Sequence, residues 1–339
     1  MKSNYWKNKR TLITGINGFV GGNLSKKLIN NKAVVYGLIR NQNYNSFYYY
    51  EGLDKSCITI NGDLLDKELL KRVLIEEEIS HIFHLGAQVE IGVAMKNPFD
   101  TFETNVKGTY TLLSAIYESN INVKSIVIAS SDKVYGDYPK NKLPYKEDYP
   151  LRSKFPYDVS KACADIISQS FSTNIFNLPV CISRFSNIYG PGQLNFSAII
   201  PDCIRSALGY SKFEPRGDGS NLRDYLYIDD VSNLYLSLGM NLDLRRNELN
   251  GEVFNFGPNN PLSVKEVIEI IYSKMDNYDE YEIIKSKMKK NKTKGEIAVQ
   301  LMDYEKVYKY FKYVPGYSFD EGIEKTIDWY EKYLKSIFK

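Results

Sequence analysis

Short β-rich runs alternate with helix-like stretches along the first half of the 339-residue chain. The strand-like runs are Thr11–Thr14, Ala33–Ile39, Cys57–Ile60, His81–Leu85, Ser125–Ala129 and Val180–Phe185. The helix-like stretches between them are Val20–Asn30, Asp66–Glu78, Pro98–Ser119 and Pro156–Phe171. Strands joined by such helices pair in parallel, and strands buried on both faces are continuously apolar. The pattern therefore predicts an α/β fold with a doubly wound parallel sheet.

The alternation breaks after residues 189–192, which read Tyr-Gly-Pro-Gly. The elements predicted beyond them are helices near Ser197–Leu208, Val264–Met275 and Asp320–Ser336, a strand and helix near Tyr225–Leu238, and a strand at Val253–Phe256. We predict a first domain over residues 1–190 and, mainly from residues 191–339, a smaller α+β lobe. The strand near residues 253–257 is expected to return to the first domain.

Composition excludes several classes of protein. With 25% charged and 43% hydrophobic residues the chain is a globular protein, not a disordered one, and a net charge of +3 gives no sign of a nucleic-acid partner. There are 28 tyrosines but only two histidines, His81 and His84. Two histidines leave little room for a histidine metal site or triad. We expect no metal, and acid–base chemistry by Tyr, Lys, Asp or Glu.

Several features predict a cytoplasmic enzyme. No apolar run approaches the length of about 20 residues that spans a membrane, and Met1–Arg10 lacks the apolar core of a signal peptide. The four cysteines form no C-x-x-C pair and lie in apolar stretches, which is typical of buried free thiols in a reducing compartment.

A glycine pattern, G-x-x-G-x-x-G, follows the first predicted strand at Gly15, Gly18 and Gly21. Glycine permits positive φ and lets the backbone approach a pyrophosphate closely. The start of the next helix offers free N–H groups and the positive end of the helix dipole. Tight turns also use glycine, but the position between a strand and a helix favours dinucleotide binding. The first domain is predicted to be of the Rossmann type.

The residues after the second and third strands bear on the choice of dinucleotide. A carboxylate after the second strand would favour NAD, but the chain has Arg40, which suits the 2′-phosphate of NADP or simply faces solvent. NAD and NADP remain open alternatives. Asp63 follows the third strand, where it is expected to meet the adenine or to form a turn with Gly62.

Tyr157 and Lys161 are four residues apart, which places them on one face of a helix. The Lys161 ammonium is expected to stabilise the phenolate and lower the pKa of Tyr157. Ligands of open α/β sheets bind beyond the carboxyl ends of strands. The fifth strand ends at residues 130–136, so Ser131, Asp132 and Lys133 are predicted to converge with Tyr157 on one nicotinamide. A plain strand-end turn is the alternative for Asp132 and Lys133.

At these residues the chain resembles the extended short-chain dehydrogenases/reductases of the nucleotide-sugar epimerase and dehydratase group. The resemblance covers nearly the whole chain and is carried by residues 14–21, 84–88, 105–109, 130–136, 157–161, 186–192, 223–225, 255–257 and 329–330.

The resemblance implies a set of site residues and partners. The implied cofactor contacts are Gly15, Asn17, Gly18, Phe19, Val20, Gly21, Arg40, Asp63, Leu64, Leu85, Gly86, Ala87, Gln88, Asn105, Tyr157 and Lys161. The implied contacts to a nucleotide-diphosphate sugar are Gln88, Ser131, Asp132, Asn187, Arg216 and Arg223. It also implies a homodimer through a helix bundle built from Pro98–Ser119 and the helix of Tyr157–Lys161.

Within the group, Ser131-Asp132-Lys133 is similar to CDP-glucose 4,6-dehydratases, whereas Leu38-Ile39-Arg40 is similar to NADP-using GDP-mannose 4,6-dehydratases. The nucleotide base stays open. The implied mechanism has Tyr157, aided by Ser131, take the C4 hydroxyl proton, Lys133 take the C5 proton and Asp132 protonate the leaving C6 hydroxyl. An ion pair between Asp132 and Lys133 would shift both pKa values the wrong way. A 4-epimerase or another nucleotide-sugar oxidoreductase, which would use Tyr157 but not Lys133, is the alternative, and a non-catalytic cofactor-binding protein is a remote one.

Four further features each have two interpretations. Asn105 lies near the cofactor or caps a neighbouring element, and His84 is predicted to be a hydrogen-bonded core histidine. The aromatic run Phe47–Tyr50 is predicted to pack against the other lobe, with a nucleobase stack as the alternative. The tract Lys285–Lys294, with six lysines, is predicted to be a solvated loop or to supply one phosphate contact.

Overall fold

The computed structural model describes residues 4–288 and 297–338. Most of the lysine tract and the first three residues lie outside these ranges. The strands are β1 (Arg10–Thr14), β2 (Val34–Ile39), β3 (Ile58–Asn61), β4 (His81–His84), β5 (Ser125–Ala129), β6 (Val180–Phe185), β7 (Asn187–Tyr189), β8 (Leu222–Arg223), β9 (Tyr225–Tyr227), β10 (Val253–Phe256), β11 (Leu262–Ser263) and β12 (Val299–Gln300).

The helices are α1 (Phe19–Asn30), α2 (Phe47–Tyr50), α3 (Lys67–Glu76), α4 (Ile91–Lys96), α5 (Pro98–Phe102), α6 (Gly108–Ser119), α7 (Pro156–Phe171), α8 (Ile199–Ala207), α9 (Ile228–Leu244), α10 (Arg246–Leu249), α11 (Val264–Lys274), α12 (Tyr278–Lys287), α13 (Glu305–Phe311) and α14 (Phe319–Ile337). A π-helical turn, Glu103–Lys107, joins α5 to α6. The predicted helix over residues 98–119 is therefore continuous but contains this widened turn.

A seven-stranded sheet forms the centre of the molecule, in the order β10-β6-β5-β4-β1-β2-β3. Every neighbouring pair in it is parallel. The predicted α/β class and doubly wound sheet are confirmed. The chain builds outward from β1 to β3 and then crosses to β4 on the other side of β1. This reversal opens a crevice at the carboxyl ends of β1 and β4, where open α/β sheets bind ligands.

One strand and one helix from the second half of the chain pack with the large sheet. As expected, residues 253–256 form the edge strand β10, which pairs in parallel with β6. Helix α9 packs on one face of the sheet through Tyr235, whose ring centroid lies 6.1 Å from that of Phe83 and whose hydroxyl lies 3.0 Å from Ser183 Oγ. The boundary near residue 190 stays a prediction, because β10 and α9 interleave the two halves.

The remaining strands form two small sheets in the smaller lobe. In one, β8 lies between β11, to which it is antiparallel, and β12, to which it is parallel; in the other, β7 pairs in parallel with β9. The predicted helices near 197–208, 264–275 and 320–336 match α8, α11 and α14 to within two residues at each end. Sequence patterns missed α4, α12 and α13, which are short and carry few buried residues.

The aromatic run of α2 packs against the C-terminal helix. The ring centroids of Phe47 and Tyr50 lie 5.8 and 5.7 Å from that of Trp329, and Tyr50 lies 5.0 Å from Tyr333. The prediction of a packing role for Phe47–Tyr50 is confirmed.

All four cysteines are free: Cys181 and Cys203 are buried, and Cys57 and Cys163 are partly exposed. Among the helices of the described ranges, none combines the length and apolar character that crossing a membrane requires.

Candidate active site

The glycine loop between β1 and α1 is tightly folded, and its glycines are sterically required. Gly15 has a φ of +71°, and a Cβ placed on it would lie 2.8 Å from the Cα of Gly86. A Cβ on Gly21 would lie 2.3 Å from the carbonyl oxygen of Gly15. The first glycine thus lets the end of β1 touch the loop after β4, and the third lets α1 start directly against the turn.

The N-terminus of α1 is open to an anion. Its N-cap, Gly18, provides no side-chain hydrogen bond, and the first turn contains no acidic residue. The free N–H groups and the helix dipole are therefore left for a ligand, with Phe19 and Val20 in the same turn. Asn17 Nδ2 donates to the carbonyl oxygen of Asn41 at 2.8 Å, which fixes the loop to the end of β2. These residues fit the pyrophosphate of a dinucleotide.

Arg40 and Asp63 meet beyond the ends of β2 and β3. Arg40 Nη1 lies 4.0 Å from Asp63 Oδ2, and both side chains are substantially exposed. Asp63 Oδ1 also accepts a hydrogen bond from the backbone N–H of Leu65 at 2.9 Å, so the predicted turn is present. Leu64 is buried beneath the crevice. It packs closely against Gly86 and Gly108, because a Cβ placed on these glycines would lie 3.1 and 3.2 Å from its side chain.

His84 is a core residue, as predicted. Its Nδ1 lies 2.8 Å from Thr14 Oγ1 and its Nε2 lies 2.9 Å from Thr109 Oγ1, so both ring nitrogens have partners. Burial lowers the pKa of His84 to about 3, with Lys161 adding to the effect, and the imidazole is therefore neutral. Thr14 Oγ1 also accepts hydrogen bonds from the N–H groups of Leu85 and Gly86. His84 thus supports the loop that begins at Leu85 without acting as an acid or base.

Asn105 holds the end of this loop in place. Its Oδ1 accepts from the N–H of Gln88 at 2.7 Å, and its Nδ2 donates to the carbonyl oxygen of Gln88 and to Ser160 Oγ, both at 2.9 Å. The side chain is almost fully buried. Asn105 therefore ties the segment containing Ala87 and Gln88 to α7, which carries the proposed catalytic tyrosine. The structure is closer to the capping interpretation of Asn105, but the hydrogen bonds of its side chain reach two other elements, the loop at Gln88 and helix α7.

Tyr157 and Lys161 lie on one face of α7 beside the end of β5, where Lys161 Nζ donates to the carbonyl oxygen of Ala129. Burial raises the pKa of Tyr157, nearby Asp132 raises it further, and a hydrogen bond from Ser131 lowers it. The predicted lowering by Lys161 is wrong in this structure, because desolvation of the phenolate dominates. Burial also lowers the pKa of Lys161 to about 8, which weakens its standing positive charge.

Asp132 and Lys133 turn into the same site in a short 3₁₀ segment capped by Ser131. Asp132 is 2% exposed, and its Oδ1 lies 3.8 Å from Lys133 Nζ. A third residue, Gln300 of β12, bridges them: its Nε2 donates to Asp132 Oδ2 at 3.1 Å, and its Oε1 accepts from Lys133 Nζ at 3.4 Å. Sequence analysis missed Gln300, because nothing in its local pattern marks it.

Asp158 is a further ionisable group that sequence analysis missed. It is buried in the first turn of α7, next to Tyr157. Burial raises the pKa of Asp158 to about 6; Lys133 opposes this rise and Asp132 adds to it. Its position inside the Tyr157–Lys161 segment was a usable signal. The carboxyl groups of Asp132 and Asp158 and the amine of Lys133 therefore lie near Tyr157, in addition to Lys161.

Three of the six predicted substrate contacts belong to the smaller lobe: Asn187, Arg216 and Arg223. The Nδ2 of Asn187, on β7, is buried and has no hydrogen-bond partner among the described residues, which fits a polar ligand group. Arg223 lies on β8 directly opposite Gln300. Arg216 is exposed and donates to the carbonyl oxygen of Ser197 at 3.1 Å, so its substrate role stays a prediction.

Asp224, the residue after β8, lies in the interior of the smaller lobe. It is fully buried, and its carboxylate accepts hydrogen bonds from the backbone N–H groups of Asn259, Asn260 and Met302. Burial raises the pKa of Asp224 to about 7. The side chain fastens three segments of the lobe together.

Arg184 of β6 holds the segment that follows β5 in place from the interior of the protein. It forms a bidentate pair with Asp165 of α7, at 2.8 and 3.0 Å, and donates to the hydroxyl of Tyr135 at 2.8 Å. Ser130 Oγ donates to the same carboxylate at 2.6 Å. Both charged side chains are buried. The network therefore fixes the two ends of the segment that carries Ser131, Asp132 and Lys133.

The site therefore combines a glycine loop that fits a pyrophosphate with Ser131, Tyr157 and Lys161, and with the neighbouring pair Asp132 and Lys133. A family model described as GDP-mannose 4,6-dehydratase matches residues 12–326 of the chain. The chain belongs to this family. Its members are extended short-chain dehydrogenases/reductases that act as nucleotide-sugar dehydratases and epimerases, and the resemblance that the motifs indicated is confirmed at that level.

Individual relatives in the family have different activities. The chain is 28% identical to a UDP-N-acetyl-α-D-glucosaminuronate decarboxylase of Bacillus cytotoxicus, over 96% of this chain and 98% of the relative. It is 27% identical to a UDP-glucuronate 4-epimerase of Thermodesulfobacterium geofontis, over 96% of this chain and 97% of that one. The crystal structure of a dTDP-glucose 4,6-dehydratase from Bacillus anthracis in complex with NAD matches with a TM-score of 0.81 at 28% identity, covering 96% and 97% of the two chains. Overall similarity therefore establishes the family but does not separate these activities.

Proposed function

We propose that this family member is a nucleotide-sugar 4,6-dehydratase, which converts an NDP-hexose to water and the NDP-4-keto-6-deoxyhexose. The observation that carries the proposal is the position of Asp132 and Lys133, which enter the site from the end of β5 beside Ser131 and Tyr157. An epimerase needs no acid–base pair at this place. The Ser131-Asp132-Lys133 sequence supports a CDP-linked hexose as the first substrate to try.

Each residue has a defined proton to handle in this proposal. The oxidised dinucleotide supplies a hydride acceptor and a positive charge, and a positive charge favours a phenolate. Tyr157, beside Ser131, takes the C4 hydroxyl proton and leaves a 4-keto group that acidifies C5–H. Lys133 takes the C5 proton, Asp132 gives a proton to the C6 hydroxyl, and the C6–O bond breaks to release water. The hydride removed from C4 would return to C6 while Lys133 returns its proton to C5, and the proton taken by Tyr157 balances the one that Asp132 gave to the departing water.

A 4-epimerase is the second candidate, and one observation favours it. Asp132 and Lys133 lie within ion-pair distance, at 3.8 Å. An ion pair keeps the amine protonated and the carboxyl ionised, which opposes the elimination roles. Epimerisation would use Ser131 and Tyr157 alone.

The test is an assay of the purified protein with CDP-, GDP-, UDP- and dTDP-hexoses. Mass spectrometry detects the loss of one water in a 4-keto-6-deoxy product, and NMR detects a C4 epimer of unchanged mass. We expect the dehydrated product with at least one donor. A C4 epimer with no dehydrated product would contradict the proposal.

Replacing Lys133 by Ala is expected to abolish elimination and to leave dinucleotide binding intact. Removing one general acid or base lowers turnover by about 10²–10⁴-fold. The matched control is Lys140→Ala, since Lys140 is an exposed lysine of the same loop region. Product formation by mass spectrometry and dinucleotide binding by calorimetry are measured for both. Unchanged turnover of Lys133→Ala would remove this lysine from the mechanism.

We propose NAD or NADP as the cofactor, supported by the open N-terminus of α1 and the three tightly packed glycines. Arg40 supports NADP, and the solved dehydratase with bound NAD supports NAD. Calorimetric titration with each dinucleotide separates them. The four free thiols support a reducing compartment such as the cytoplasm.

We propose a homodimer that forms through α5, α6 and α7. These helices expose large apolar side chains, including Phe99 at 70% and Ile166 at 58% exposure. Phe102, Tyr110 and Tyr117 are also exposed on α5 and α6. Exposed apolar side chains concentrated on adjacent helices favour burial against a second copy.

The double variant Phe99→Asp/Ile166→Asp is expected to be monomeric, because each buried carboxylate would be desolvated without a partner. Light scattering coupled to size-exclusion chromatography is expected to give the mass of two chains for the wild type and one for the variant. Ile283→Asp, at an exposed position of α12, is the control and should remain dimeric. A dimeric double variant would place the interface elsewhere.

A further inference from the structure

Gln300 is the residue in the site that comes from farthest away in the sequence. It lies on β12, is 2% exposed, and reaches the two ionisable groups that follow β5. Its amide makes one hydrogen bond to each: Nε2 donates to Asp132 Oδ2 and Oε1 accepts from Lys133 Nζ. Both ends of the amide are therefore used by the acid–base pair.

The separation between Asp132 and Lys133 reflects this bridge. Charge-assisted N–H···O bonds are about 2.7–2.9 Å long, whereas Lys133 Nζ lies 3.8 Å from Asp132 Oδ1. Adjacent residues with flexible side chains can approach more closely than this. A neutral amide can satisfy both groups at once because it offers a donor at one end and an acceptor at the other.

We propose that Gln300 is a positioning residue that holds Asp132 and Lys133 at a separation of 3.8 Å, so that their ion pair does not shorten to hydrogen-bond distance. The inference rests on the proposed dehydratase function, in which Lys133 must release its proton before it can act as a base. A direct pair would hold that proton more tightly, since an opposite charge in contact stabilises the charged amine. The spacer leaves Lys133 easier to deprotonate.

The lobe that binds the nucleotide sugar sets the position of this amide. Gln300 pairs with Arg223 across the β8–β12 ladder, so the strand that supplies the proposed diphosphate contact also supplies the spacer. Other titratable groups also face the pair: Asp158 on α7 interacts with Lys133 and Asp132, and Asp224 after β8 interacts with Asp132. The phenols of Tyr145 and Tyr157 interact with Asp132 as well. These stay in place when Gln300 is changed, so a changed titration of Lys133 reports on the spacer.

The test measures the titration of Lys133 without substrate. Acetic anhydride is applied over a range of pH, and the acetylation of Lys133 is followed by peptide mass spectrometry, normalised to exposed Lys140. Gln300→Leu removes both hydrogen bonds. Gln300→Asn keeps an uncharged amide but shortens its reach by one methylene, and it covers the case in which the apolar variant does not fold. In both variants we expect the midpoint of Lys133 acetylation to move to higher pH by about one unit, equivalent to a tenfold lower rate near neutral pH.

Val299→Ala is the control for disturbance of β12, because Val299 is the neighbouring buried residue and successive side chains of a strand point to opposite faces. Its midpoint should match the wild type. An unchanged midpoint in the Gln300 variants, or an equal shift in Val299→Ala, would overturn the proposal. Because no sugar is present, this result stands even if no dehydrated product forms in the function assay. With an active substrate, Gln300→Leu should lower kcat about tenfold while KM stays within about twofold.

Discussion

Tyr157→Phe is expected to lower turnover of the nucleotide sugar by about 10³–10⁴-fold, near the upper limit for removing one general base. Ser131 lowers the pKa of this phenol, and no other described tyrosine lies one helical turn before a buried lysine at the end of β5. The variant keeps the ring, so the packing of α7 is preserved. Turnover is measured by product mass, and folding by circular dichroism.

The control for this variant is Tyr278→Phe, which removes a hydroxyl from an exposed position on α12. It should retain full activity. Both candidate activities, dehydration and 4-epimerisation, need the Tyr157 phenol. Loss of activity in Tyr157→Phe therefore supports the shared chemistry, and the Lys133 variant separates the two. A Tyr157→Phe variant with more than about a tenth of the wild-type turnover would assign the C4 proton to another group.

Arg184→Met is expected to reduce the free energy of unfolding by about 3–5 kcal/mol, the usual effect of removing one partner from a buried ion pair. The substitution leaves the Asp165 carboxylate in the interior with only Ser130 and Gln169 as donors. It also removes the donor to Tyr135, which lies at the end of the catalytic segment. Urea unfolding followed by fluorescence measures the change.

Arg245→Met provides the comparison on the surface. Arg245 pairs with Glu248 at the surface, where solvent screens the charges, so the loss of unfolding free energy should be much smaller than for Arg184→Met. If Arg184→Met reduced the free energy of unfolding as little as this control does, apolar packing alone could replace the buried ion pair. The catalytic strand end would then be held by its backbone hydrogen bonds.

The order of strands and helices in the first half was predictable because each element is encoded by local periodicity. The runs predicted at residues 33–39, 81–85 and 125–129 form β2, β4 and β5 to within one residue at each end, and the predicted helix at 156–171 forms α7. Short elements with few buried residues, such as β8 and β12, were not predicted, because two residues carry no periodic signal. They form because neighbouring strands satisfy their backbone groups.

The site was predictable where its residues are close in sequence. The glycine loop lies between a strand and a helix, and Tyr157 and Lys161 share a helix face. The electrostatics were not predictable in the same way. The pKa of Tyr157 is raised and not lowered, because burial of the phenol outweighs its neighbours. Burial is a property of the packed structure and not of the interval between two residues.

By itself the sequence determined the parallel sheet, the dinucleotide loop and the residues that enter the site at the end of β5. Each of these follows from residues that are neighbours along the chain or one helical turn apart. The tertiary structure alone decided that Gln300 bridges Asp132 and Lys133, and that Asp165 is neutralised by Arg184. Such contacts join segments that come together only when separate strands pair and pack, and no local pattern encodes that pairing.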